Sequence, residues 1–177
     1  MKDRDVMELL QHYRHDLMNH LQVIHGYASM GKIEKVKKKT NDTISLYQQE
    51  RKLMHLQGNE FFLWIIQFQH MYEDVRLVYH IHTENKDIHE SDKQLTSQCK
   101  KIVKLIQSMN EGLELITIEL HIQAIQNDKL EIRFMISDLE EKRELLIEEI
   151  RRMEAKYAMT TLYKDEWLQC SFSVPCH

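Results

Sequence analysis

Residues 6–28 read VMELLQHYRHDLMNHLQVIHGYA. At about 100° of rotation per residue, Val6, Leu10, Tyr13, Leu17, Leu21, Ile24 and Ala28 fall in one apolar stripe of an α-helix. Gly26 and Gly31 bracket the end of this pattern, so a first helix is expected from about Asp3 to about Ala28, with Gly31 at the turn. A second helix follows from about Lys32 to Met54, with Ile33, Val36, Ile44, Tyr47 and Met54 apolar and Thr40 on the same side. So short a connection makes the helices antiparallel neighbours. Two helices alone cannot enclose a core, but hairpins from two chains can, as a four-helix bundle with crossings of about 20°. The expectation is a homodimer held by the hairpin.

The same wheel turns His15 roughly 160° away from the centre of the stripe, on a face shared with Glu8, Gln11, Asn19 and Gln22. The chain has eleven histidines, and an exposed helical histidine usually has no special role. Its neighbours decide the matter here. An imidazole carried outward on a rigid helix suits chemistry that passes a group from one protein to another.

Composition narrows the class. Of the 177 residues, 42% are hydrophobic and 29% charged, the balance of a globular protein. No apolar run reaches the roughly 18 residues of a membrane span, and no secretory signal is visible. Cys99, Cys170 and Cys176 suggest no disulfide framework, so a cytoplasmic protein is expected. A net charge of −4 argues against nucleic-acid binding.

Gln57-Gly58-Asn59 reads as a boundary, giving expected domains of residues 1–57 and 58–177. Beyond it, Glu60 to Met71 reads as a buried amphipathic helix and Val75 to His82 as a strand. Asp92 to Gly112 follows as a helix, then strands Leu115 to Ala124 and Leu130 to Ile136 form a hairpin across Gln126-Asn127-Asp128-Lys129. A charged helix from Leu139 to Ala155 and strands Tyr157 to Leu162 and Trp167 to Val174 complete the pattern. The fold class is α+β.

The string R-H-D-x-x-N-x-L-Q at 14–22 resembles the phosphoacceptor box of one group of bacterial histidine kinases, and more closely that of the sporulation initiation phosphotransferase B family. The order of the later elements resembles a short kinase ATP-binding domain, an α/β sandwich. In kinases that domain cradles ATP with glycine-rich turns, because a backbone approaches phosphates closely only where side chains are absent. From Leu113 to His177 there is no glycine. Where the family places an Asp-x-Gly-x-Gly turn, this chain has Ser137-Asp138 followed by Leu139-Glu140-Glu141-Lys142-Arg143. Gln107 and Glu111 align with two kinase asparagines, and Asn110 is one residue off that face. The resemblance therefore implies a degenerate domain that binds no ATP and no other cofactor.

A phosphoacceptor without ATP receives its phosphoryl group from another protein. The resemblance implies a phosphorelay phosphotransferase of a two-component system. His15 takes a phosphoryl group from a response-regulator aspartyl phosphate and passes it to a second regulator controlling sporulation. Arg14, Asp16 and Asn19 are the candidate catalytic neighbours. By helical geometry Asp16 is off the face of His15, and it would steer Arg14 or a residue of the second helix. Glu8, Gln11 and Gln22 would form the docking surface for the receiver domain, with Lys32 and Lys35 steering encounter from a basic patch that includes Lys37, Lys38 and Lys39. Mg2+ is expected at the partner's acidic site and not on this chain. The alternatives are an ATP-dependent histidine kinase fragment and a non-catalytic dimeric module that inhibits a kinase.

No metal site is expected. His12 and His15 are near neighbours, His80 and His82 share one strand face, and Cys170, Cys176 and His177 crowd the tail. None has the close cysteine spacing of a structural zinc site.

Overall fold

The structure, a computed structural model, describes residues 3–109, 115–126, 128–137, 148–152, 160–164 and 167–177. The chain divides into two compact units, Met1–Glu50 and Arg51–His177.

The first unit is helical. Helix α1 spans Asp3–Ser29 and α2 spans Ile33–His55, whose last turn falls in the second unit. The turn between them is closed by Gly31 N–H to Ala28 O at 2.9 Å and Lys32 N–H to Tyr27 O at 2.9 Å. That pair is a Schellman stop, which requires a left-handed residue just past the helix. Gly31 supplies it with φ 67°. Tyr13 stands edge-on to Tyr47 at 6.2 Å, and its hydroxyl donates to Glu50 at 3.0 Å.

The apolar stripe expected to face inward is divided. Val6, Tyr13, Leu17 and Ile24 are half-buried, joined by Leu9, His20 and Tyr27, whereas Leu10, Leu21 and Ala28 are exposed. On α2, Val36, Thr40 and Tyr47 are half-buried, and Ile33, Ile44 and Met54 are exposed. No residue from 6 to 50 is fully buried. One neighbouring helix covers only one flank of so wide a stripe.

The second unit has a core. Helix α3 (Asn59–Ile66), the single turn α4 (Phe68–Met71) and α5 (Asp92–Met109) accompany a mixed five-stranded sheet. Its strands are β1 (Val75–Ile81), β2 (Ile116–Ile125), β3 (Lys129–Ile136), β4 (Thr160–Lys164) and β5 (Trp167–Pro175) in the order β1-β2-β3-β5-β4. Only β1 and β2 are parallel, and α5 lies between them in sequence. Alternation sets the inner face: Ile116, Ile118, Leu120 and Ile122 of β2 and Leu130, Ile132, Phe134 and Ile136 of β3 are buried. Leu95, Cys99, Ile102, Val103 and Ile106 of α5 join that core at helical spacing, as do Phe61, Trp64 and Ile65 of α3. Each such side chain contributes about 1.5–3 kcal/mol on burial.

The single helix expected over 60–71 is interrupted at Gln67, which separates α3 from α4. The break accompanies a run of aromatic contacts, Trp64 to Phe68 at 5.5 Å and Phe68 to Tyr72 at 4.6 Å between ring centres. Helix α3 has no capping side chain of its own. Asp92, at the start of α5, accepts instead from Glu60 N–H and Phe61 N–H, both at 2.8 Å. Gly58 is necessary for this approach, since a Cβ there would lie 2.5 Å from Ile88 Cδ1 and 3.1 Å from Asp92 Oδ1. Residues 148–152 are helical, but the rest of the expected helix from Leu139 to Ala155 lies outside the described residues. So do Asn110, Glu111, Asp138 and Tyr157, on which parts of the kinase comparison and of the expected fourth strand rested.

Candidate functional site

His15 sits at mid-length on α1 with 69% of its side chain exposed. Its Nδ1 is 3.2 Å from Asp16 Oδ1 and 3.3 Å from Asn19 Nδ2. These contacts select different tautomers. With a proton on Nδ1 the ring donates to Asp16, and Nε2 keeps its lone pair. With the proton on Nε2, Nδ1 accepts from the Asn19 amide. Asp16 therefore favours the form in which the outer nitrogen is a nucleophile.

This corrects the expectation that Asp16 stands apart from His15; its charge also acts on Tyr47 of α2. The residues are successive on the helix, but a short carboxylate lying along the helix surface reaches the inner ring nitrogen. Arg14, Glu8, Gln11 and Gln22 are exposed on α1. Lys32 and Lys35 are exposed near the turn; Lys35 Nζ lies 5.6 Å from the centre of the Tyr27 ring, and Lys37 pairs with Glu34 at 2.9 Å. Part of the basic patch is thus engaged within the hairpin.

His20 is a residue that sequence reasoning did not place on the packed side. Burial lowers its pKa, the Lys39 charge lowers it further, and Asp16 opposes both. Burial also raises the pKa of Glu50, against the hydrogen bond from Tyr13.

In the second unit, Gln107 donates to Asp74 Oδ1 at 2.8 Å. The residue aligned with a kinase asparagine is therefore tied to the loop before β1. Cys99, Cys170 and Cys176 are buried and form no disulfide. The sheet also gathers residues that no linear spacing joins. His80 of β1 is the register partner of His121 of β2. The two rings stack at 4.7 Å, and a third ring, His82, lies 5.3 Å from His121. His121 Nδ1 is 3.0 Å from His82 Nε2, and His121 Nε2 is 3.4 Å from Glu119 Oε2. Burial lowers the pKa of His121, the Glu119 hydrogen bond raises it, and the two neighbouring imidazoles lower it. Among the described residues, no helix is long and apolar enough to cross a membrane.

Comparison with known proteins gives the following. Residues 1–56 match the family described as Sensor_kinase_SpoOB-type, alpha-helical domain. Sporulation initiation phosphotransferase B of Bacillus subtilis (strain 168) is 29% identical over 101 residues, which is 57% of this chain and 53% of that protein. The chain thus spans about half the length of this curated relative. Among solved structures, the catalytic domain of the histidine kinase ThkA is 15% identical with a TM-score of 0.37, covering 70% of this chain and 93% of that one. The blue-light activated histidine kinase of Erythrobacter litoralis EL346 is 14% identical with a TM-score of 0.43, covering 98% of this chain and 59% of that one.

Proposed function

We propose, from the match of residues 1–56 to the SpoOB-type alpha-helical domain and the likeness to sporulation initiation phosphotransferase B, that the protein is a phosphorelay phosphotransferase with His15 as its phosphoacceptor. The observation that carries the reading is the exposed His15 ring with the Asp16 carboxylate 3.2 Å from Nδ1. His15 Nε2 attacks the phosphorus of a receiver domain's aspartyl phosphate. The N–P bond forms, the P–O bond to the receiver aspartate breaks, and that aspartate leaves as a carboxylate. The ring, still protonated at Nδ1, becomes cationic, and Asp16 stabilises it there. Transfer to a second receiver is the same step reversed. Both linkages are energetic, so the protein's work is positioning and charge neutralisation.

Asn19, one turn along on the same face, binds the phosphoryl oxygens or the partner, and Arg14 neutralises charge at the edge. Glu8, Gln11 and Gln22 form the docking face, with Lys32 and Lys35 steering an acidic receiver toward it. Magnesium belongs to the receiver's carboxylate site. The active protein is a homodimer whose hairpins form a four-helix bundle. What supports this is the absence of any fully buried residue from 6 to 50, together with exposed Leu10, Leu21 and Ile44. The working compartment is the cytoplasm, where receiver domains act.

The test is to incubate the protein with a labelled phosphorylated receiver, and separately with labelled ATP. Acid-labile label on wild type from the receiver, none on His15→Ala and none from ATP is the expected result. Label that persists in His15→Ala overturns the assignment. Self-labelling from ATP makes the chain a kinase instead.

A further inference from the structure

The strand pairing of the second unit assembles a donor set unrelated to the phosphoacceptor. We propose that His80, Glu119 and His121 form a binding site for a divalent transition-metal ion of the zinc class, on the face of the sheet opposite the core.

Three features of the backbone place these side chains together. His80 and His121 are direct partners in the parallel β1-β2 register, and Glu119 stands two residues before His121. Alternation puts residues two apart on one face. Ile118, Leu120 and Ile122 are buried, so Glu119 and His121 point to the other side, where both are half-buried. One ligand atom from each of His80, Glu119 and His121 can be chosen so that all lie within 4.8 Å of one another. The closest part of the set already has coordination dimensions. His121 Nε2 and Glu119 Oε2 are 3.4 Å apart. Two ligands on a tetrahedral zinc with bonds of about 2.0–2.1 Å are about 3.3 Å apart.

His82 completes the arrangement without being a ligand. Its Nε2 is 3.0 Å from His121 Nδ1. When His121 carries its proton on Nδ1, it donates to His82, and Nε2 is free for the metal. This is the outer hydrogen bond that fixes the tautomer and ring orientation of metal-binding histidines. In the other tautomer Nε2–H donates to Glu119 and Nδ1 accepts from His82; metal binding favours the Nδ1–H form and replaces the hydrogen bond to Glu119 by two coordinate bonds. Arg133 faces His121 across β2 and β3, but its guanidinium is held by Glu131 at 2.5 Å, which also accepts from Gln123 at 2.7 Å. Two imidazoles and one carboxylate suit zinc or copper far better than magnesium or calcium, which take mainly oxygen ligands. Three protein ligands leave a fourth position for water.

Bound metal would fasten β1, the edge strand, to β2 by side chains as well as by backbone. The experiment is a zinc titration of the full chain by calorimetry, with His80→Gln, His121→Gln and the control His25→Ala. Wild type and His25→Ala should bind one zinc equally. Each cluster variant should bind at least about tenfold more weakly, since even outer-shell changes cost about 10- to 100-fold. Circular dichroism checks that the variants fold. A second readout needs no variant: substoichiometric Cu2+ should broaden the amide resonances around His80, Glu119 and His121 first. Equal zinc affinity in the cluster variants, or broadening centred on α1 or on His177, overturns the proposal.

Discussion

Replacing Asp16 by alanine tests whether this carboxylate orients the nucleophile or carries the chemistry. In the structure it touches His15 through Nδ1 at 3.2 Å, with 69% and 60% of the two side chains exposed. Ion pairs and hydrogen bonds that open to water contribute about 0.2–1 kcal/mol, because solvent screens the charge and two side chains must be fixed. If Asp16 only favours the reactive tautomer and steadies the cationic ring, its loss should slow phosphoryl acceptance by about 1.5- to fivefold. Asn19→Ala should cost no more on this count, since its contact at 3.3 Å serves the unreactive tautomer. A further loss in that variant would report contact with the phosphoryl group. The assay is rapid-quench transfer from a labelled phosphoreceiver, at receiver concentrations high enough to saturate docking. A thousandfold drop in the saturated rate for Asp16→Ala would refute the orienting role. It would require the carboxylate to be shielded from water by the bound partner.

Three other outcomes are expected. Gly58→Ala places a Cβ 2.5 Å from Ile88 Cδ1 and 2.8 Å from its Cγ1, and should lower the unfolding free energy of the second unit by about 1–3 kcal/mol. A urea midpoint that stays put would show that Ile88 can yield. Leu21→Asp alters a side chain already 48% exposed within one chain, so the hairpin should stay helical while the protein sediments as a monomer. A mutant that remains a dimer contradicts the bundle. His20 has its pKa lowered by burial, so the folded chain prefers the neutral ring. Its contribution is present above about pH 6.5 and is lost as the pH falls through that range toward the folded pKa. Between about pH 7.5 and pH 5.5, wild type should therefore lose more stability than His20→Gln, a comparison in which Glu50 cancels.

Much of the architecture was legible because it rests on periodicity. The helices over 3–29 and 33–55 and the hairpin of β2 and β3 follow from apolar spacing and from turn residues such as Gly31 and Asp128. The limits of that reasoning were also physical. A wheel shows that Leu10 and Tyr13 are both apolar, but not that one helix neighbour covers Tyr13 and leaves Leu10 bare. It separates Asp16 from His15 by direction, and says nothing of a carboxylate bending back to the ring. The histidine cluster was out of reach for another reason. His80 and His121 lie far apart along the chain, and only the parallel register of β1 on β2 makes them neighbours. Asp92 capping α3 across the fold is the same kind of fact.

A hairpin that hides none of its side chains from 6 to 50 has a consequence for dosage. In the proposed dimer, the pairing of two such hairpins follows mass action. When dimer formation supplies the missing interior, the competent fraction depends on chain concentration as well as on sequence. At low abundance the paired form grows with the square of the number of chains. A twofold rise in synthesis then gives nearly a fourfold rise in sites able to accept a phosphoryl group. Such a relay would stay quiet in a cell that makes little of the protein and switch on steeply as expression climbs, with no change in any rate constant.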